Sequence, residues 1–149
     1  MKKKTVFTIL IILWLCLIFG HSMMPGDVSS MESGFFTDLL MKIFPVFDNV
    51  EDAGFFVRKC AHFTEFMVLG VLLFIRVREF VAPFVKNLLI AGAAGLTAAF
   101  IDESIQLFVE GRAGTVPDMW VDLAGVVTGC LVVKGIGLVC DYIKIKREA

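Results

Sequence analysis

Residues 54–75 read GFFVRKCAHFTEFMVLGVLLFI. The second half is almost wholly apolar, and the whole stretch has about the 20 residues a helix needs to cross a bilayer. Its first turns nevertheless hold Arg58, Lys59, His62 and Glu65. Lys59 and His62 are three apart, as are His62 and Glu65, so on a helix these three share a face. The stretch therefore predicts a membrane helix with a polar site near one end.

The rest of the chain fits that reading. Of its 149 residues, 58% are hydrophobic, and the mean hydropathy is +0.84. Soluble domains sit near 45–50% apolar, so the excess calls for a lipid-facing surface. The length suits one domain, 1–149. A net charge of -1 and the lack of a basic stripe with interleaved aromatics exclude a nucleic-acid partner. Cys16, Cys60, Cys130 and Cys140 lie in or beside apolar runs and form no C-x-x-C pair, which reads as packing rather than zinc or disulfide chemistry.

Three further spans are predicted, at about 5–20, 84–108 and 117–142. The first follows Lys2, Lys3 and Lys4 and lacks an A-x-A-like cleavage site, so it reads as an uncleaved helix. The third carries Asp102, Glu103 and Gln106 near its end, with Gly111 as a stop signal. The fourth opens near Pro117 with Thr115 as a possible cap. Between spans one and two, Ser29 and Glu32 have capping-box spacing, so a short helix is expected to begin there. Phe35, Phe36, Leu39, Leu40, Ile43, Phe44 and Phe47 give it one apolar stripe, and Pro45 limits its end. That segment either lies in the membrane interface or packs on the other helices. The expected fold is all-α: a polytopic bundle of about four transmembrane helices plus a short amphipathic outer helix.

Charge sets the orientation. Lys2–Lys4, Arg76, Arg78 and Lys86, and Lys144, Lys146 and Arg147 all fall on one side of an even-numbered bundle. The positive-inside rule makes that side, with both termini, cytoplasmic in the cell membrane. Most acids fall on the other side, including Asp27, Asp38, Asp48, Glu65, Asp102, Glu103, Asp118 and Asp122.

Three helices then bring polar groups to the same depth. Asp102 and Gln106 are four apart and continue as Ala98, Gly95 and Ala91; Asp118 and Asp122 are four apart and continue as Gly125 and Gly129. The G-x-x-x-G spacing lets helix backbones approach closely. Small residues mark the packing face, and the carboxylates extend it outward, so the polar groups should face the bundle interior. Pairing of Lys59 or Arg112 with these carboxylates is expected to offset the cost of burying charge.

These pieces resemble the VanZ-like membrane proteins. The matching residues are Ser22, Pro25, Gly26 and Ser29 after the first helix; Arg58-Lys59-Cys60-Ala61-His62-Phe63 with Glu65 on the second; Asp102-Glu103-Ser104-Ile105-Gln106 with Gly111-Arg112 after the third; and Asp118, Asp122 and Gly125 on the fourth. The resemblance covers nearly the whole chain. It implies a multi-helix envelope protein, and the family's namesake is associated with low-level resistance to teicoplanin and related lipoglycopeptides.

Two function classes follow. The first is a membrane-embedded enzyme acting on an envelope lipid or wall intermediate. Its candidate catalytic residues are His62, Glu65, Asp102 and Asp118, as proton carriers. Ser22, Lys59, Glu103, Gln106, Arg112 and Asp122 are candidate substrate-binding residues. The second class is a non-catalytic protein that binds lipid or glycopeptide and alters surface access. A transporter is a weaker third, since four helices leave little room for two moving bundles. Asp102, Glu103, Asp118 and Asp122 are oxygen donors of the kind Mg²⁺ or Ca²⁺ takes. No compact motif such as H-E-x-x-H accompanies them, so no metal site is assigned and the cofactor stays open. Expected partners are membrane lipids, a wall precursor or lipoglycopeptide, and a second copy of the chain as a homo-oligomer.

Overall fold

A computed structural model describes residues 3–43, 47, 49–81 and 83–148, without the side chains of Lys3, Glu32 and Glu148. Lys2, Phe44, Pro45 and Asp48 lie outside the described residues. The elements are α1 (Lys3–Ser22), α2 (Gly26–Ile43), α3 (Val50–Val77), α4 (Phe84–Gln106) and α5 (Val116–Glu148). Four of them, all but α2, are long and apolar enough to cross a membrane. Ile12, Leu13, Phe56, Phe100, Leu131 and Ile136 are exposed on these four, as lipid-facing residues must be.

Helix α3 is the hub and packs against each of the other four helices. Its start is fixed by Asn49, whose side-chain oxygen accepts from the Asp52 amide at 2.8 Å, with Glu51 and Asp52 favourable in the first turn. The core joins Ile18 of α1, Phe66 and Leu69 of α3, Ala91, Ala98 and Ala99 of α4, and Val126 and Cys130 of α5.

The tightest seam lies between α3 and α5. A Cβ added at Gly125 would sit 2.4 Å from the Phe63 carbonyl oxygen, and one at Gly129 would sit 2.1 Å from that of Met67. From the other side, a Cβ on Gly70 would meet the Val126 carbonyl oxygen at 2.2 Å. Gly95 of α4 gives room to the Val126 side chain, whose Cγ2 would lie 2.6 Å from an added Cβ. The sequence stripes of small residues are thus the contact lines of three helices.

Helix α2 starts at Gly26, ahead of the Ser29 expected to cap it. Pro25 precedes its first turn, the Gly26 amide bonds to the Glu110 carbonyl at 3.0 Å, and Asp27 accepts from the Val28 amide at 2.8 Å. Ser29 is consequently inside the helix. Thr37 is buried, and its hydroxyl lies 3.7 Å from where a Gly54 Cβ would be, so α2 docks on α3 through small and polar residues. Phe35, Phe36, Leu39 and Ile43 stay exposed. Both expected settings are therefore combined: one face packs, and the phenylalanine stripe is left for an apolar surround.

Gly70→Ala should destabilise the purified protein by about 1–3 kcal/mol, because the α3–α5 backbones must separate. Gly135→Ala, where nothing lies within 4 Å of the added Cβ, should be neutral or stabilising by up to about 1 kcal/mol. Thermal unfolding in detergent reads both, and equal effects would contradict this packing.

Candidate functional site

Helices α3 and α5 both begin at the polar end of the bundle, and their registers match. Lys59 pairs with Asp118; one turn deeper, His62 faces Asp122; deeper still, Gly125 lies on Phe63 and Gly129 on Met67. On α5 each layer follows from a three- or four-residue step, a rise of about 4.5–6 Å. The glycine seam therefore sets how closely the ionisable side chains meet.

Four of the candidate residues converge in the lower layer. His62 Nδ1 lies 3.5 Å from Asp122 Oδ1 and 3.8 Å from Asp102 Oδ2. Ligating atoms of His62, Asp102, Glu103 and Asp122 all lie within 4.8 Å of one another. Asp102 and Asp122 are 0% exposed and Glu103 is 5% exposed. Behind them, Ser22 at the end of α1 donates its hydroxyl to Asp102 Oδ1, and Gln106 donates to Asp102 Oδ2 at 3.0 Å. Glu103 Oε2 accepts from the Thr115 amide at 2.6 Å, which ties α4 to the start of α5. Thr115, read as a cap, thus contributes its backbone to the site. His62 Nδ1, Glu103 Oε1 and both Asp122 oxygens have no hydrogen-bond partner, although they are buried.

The other candidates surround this centre. Lys59 is half-buried, pairs with Asp118 and lies over the Phe55 ring at 4.7 Å. Glu65 lies away from the His62 cluster: its Oε1 is 2.8 Å from His21 Nδ1, and its backbone carbonyl accepts from Trp14 Nε1 at 2.9 Å. His21 was not singled out in the sequence. Its place at the end of an apolar helix, next to Ser22, is the signal that would have found it.

Of the two carboxylate pairings expected, Lys59 forms one with Asp118, and Arg112 forms none among the described residues. Instead of pairing with a carboxylate, its Nε donates to the Met24 carbonyl at 3.2 Å and an NH2 group to that of His21 at 3.0 Å. The reason is local. Gly111 adopts φ 71 and presses on Gly26, where a Cβ would be 2.1 Å from the Gly111 carbonyl oxygen. This contact brings the Arg112 side chain across the α1–α2 turn, where the His21 carbonyl also accepts from the Met24 amide at 3.1 Å. Burial lowers the Arg112 pKa, and the nearby Asp102 carboxylate opposes that shift. The guanidinium keeps its charge at neutral pH.

A cavity of about 300 Å³ opens over this centre, with Ser22, Arg58, His62, Glu65 and Arg112 in its wall. A second, of about 520 Å³, adjoins it and adds Lys59, Gln106, Thr115 and Asp118. An apolar groove of about 590 Å³ runs along α1, α2 and α3 past Trp14, Leu39, Leu40 and Ile43. It shares Phe36, Val57, Ala61 and Glu65 with the first cavity, so the polar chamber and the apolar groove adjoin along α2 and α3.

Comparison with curated proteins and with solved structures gave no match. A family profile described as VanZ/LLP1 matches residues 7–139, from α1 through the glycine seam of α5. The match takes in every residue of the buried centre and both cavities above it, and the chain is a member of the VanZ/LLP1 family.

Proposed function

We propose that this protein binds an envelope lipid or lipid-linked wall intermediate with an anionic head group at an extracytoplasmic site, and performs proton-transfer chemistry on it. The observation that carries this reading is that the chamber holding Arg58 and Arg112 lies directly beside the apolar groove, with four wall residues in common. An amphiphile has the same two-part form. Its chains would lie against Trp14, Phe36, Leu39 and Ile43, and its head group would meet Arg58 and Arg112. Charge-assisted hydrogen bonds from guanidinium groups suit phosphate or carboxylate oxygens.

At the chamber floor, the His62–Asp102–Asp122 centre moves the proton. A buried imidazole between two carboxylates is a natural acid–base pair near neutral pH. Ser22 and Gln106 hold Asp102 in place, and Lys59 with Asp118 forms the upper rim. Membership of the VanZ/LLP1 family supports carrying over the association with low-level teicoplanin resistance. A changed envelope lipid or wall intermediate would reduce access of a lipoglycopeptide to its target. The apolar groove alone favours a second reading, in which the protein binds lipid or glycopeptide without turning it over.

The basic residues at the ends of α1, α3 and α5 support cytoplasmic termini in the cell membrane. A reporter fused after the last residue should be active in the cytoplasm only; activity solely outside the cell would invert the topology and remove the extracytoplasmic site.

Native mass spectrometry of the protein in nanodiscs should find bound anionic lipid, with occupancy lowered about tenfold in Arg58→Gln, the loss expected for one charge-assisted contact. Absence of bound lipid would overturn the proposal. His62→Gln should retain the lipid yet abolish any change in envelope lipid profile and teicoplanin sensitivity. Retained lipid with an unchanged phenotype would favour the binding-only reading.

A further inference from the structure

We infer that the buried centre is a divalent cation site, with His62 Nδ1, Asp102 Oδ2, Glu103 Oε1 and Asp122 as its ligands. This goes beyond lipid binding and does not depend on it; an ion here takes the His62 Nδ1 lone pair, so in the ion-bound state the cation takes over the activating role proposed above for the imidazole. Two independent observations point to it. The first is the cluster itself, whose ligating atoms lie within 4.8 Å of one another. The second is that His62 Nδ1, Glu103 Oε1 and both Asp122 oxygens are buried and unpartnered, with Asp122 fully enclosed.

The spacing separates a cation from a set of direct hydrogen bonds. His62 Nδ1 stands 3.5 Å from Asp122 and 3.8 Å from Asp102, beyond the roughly 3.2 Å limit of a good N–H···O bond. Ligands held about 2.0–2.2 Å from one ion are about 3–3.5 Å apart, so a small inward shift closes the site. Charge points the same way. Three carboxylates beside one imidazole repel one another in a low dielectric, and a divalent cation cancels two of their three charges. Lys59 acts on Glu103 and Asp122 only at longer range, because its direct partner is Asp118 one turn above.

The supporting contacts are those of a metal site. Asp102 gives its other oxygen to Ser22, and Glu103 gives its Oε2 to the Thr115 amide, leaving one oxygen of each carboxylate turned toward the ion. Gln106 shares Asp102 Oδ2 at 3.0 Å, which a carboxylate oxygen with two lone pairs permits. One imidazole with three carboxylates suits Mn²⁺, Fe²⁺ or Zn²⁺ better than Mg²⁺ or Ca²⁺, which prefer all-oxygen sets. Such an ion lies under the chamber and would act as a Lewis acid on a phosphoryl or carbonyl oxygen entering it.

The test uses the full chain, purified in detergent, stripped with chelator and titrated with Mn²⁺ alone. Electron paramagnetic resonance should show one Mn²⁺ bound per chain, displaced by Zn²⁺, and Mn²⁺ should raise the Tm. His62→Gln and Asp122→Asn should each weaken binding at least tenfold, whereas Glu51→Gln, at an exposed position on α3, should not change it. A wild-type chain that retains no Mn²⁺ or Zn²⁺ overturns the inference, and so does binding that His62→Gln and Asp122→Asn leave intact. Where a variant does not fold, the wild-type stoichiometry decides. Lipid occupancy is read separately, so failure here leaves the lipid proposal standing.

Discussion

The close approach of α3 and α5 is the constraint on which the rest depends. In lipid no hydrophobic gain drives helices together, so association rests on van der Waals packing and interhelical polar contacts. Gly70, Gly125 and Gly129 supply the first by letting backbone meet backbone. That approach fixes the relative depth of the two helices, and depth pairs Lys59 with Asp118 and His62 with Asp122. A larger residue in the seam would part the helices at the level where the imidazole and carboxylates need to be near.

Burying those groups is costly, since an ionised side chain at mid-membrane costs about 2.5–3.5 kcal/mol on insertion scales. The cost is reduced by position and by partners. The charged layers lie in the N-terminal turns of α3 and α5, and three other elements help to hold them. Ser22 comes from α1, Gln106 from α4, Thr115 from the loop before α5, and Arg112 locks that loop over the α1–α2 turn. The Gly26–Gly111 contact closes the same junction. Such a network holds the site in one geometry, as binding or catalysis at a fixed point requires.

Much of this was legible in the sequence. Apolar runs gave the four spans, because backbone groups in lipid must bond within a helix. The stripes Ala91–Gly95–Ala98 and Gly125–Gly129 ended in carboxylates, and this alone placed Asp102 and Asp122 toward the interior. Other features lie beyond periodicity. Asp118 and Asp122 share a face, yet a difference of about 6 Å in depth gives one to Lys59 and the other to His62. Glu65 shares a face with His62, yet the placement of α1 brings it to His21. The reach of Arg112 to two carbonyls depends on the φ of Gly111, and the start of α2 depends on a bond to a distant loop. Each of these is set by tertiary geometry.

A double-mutant cycle tests the convergence of these helices most directly. The variants are His62→Gln, Asp122→Asn and the pair of them, and the readout is equilibrium unfolding in lipid nanodiscs. Side chains that share one buried centre should be coupled by about 0.5–3 kcal/mol. Additivity to within about 0.3 kcal/mol, as for residues with no common partner, would mean that α3 and α5 do not bring these groups together.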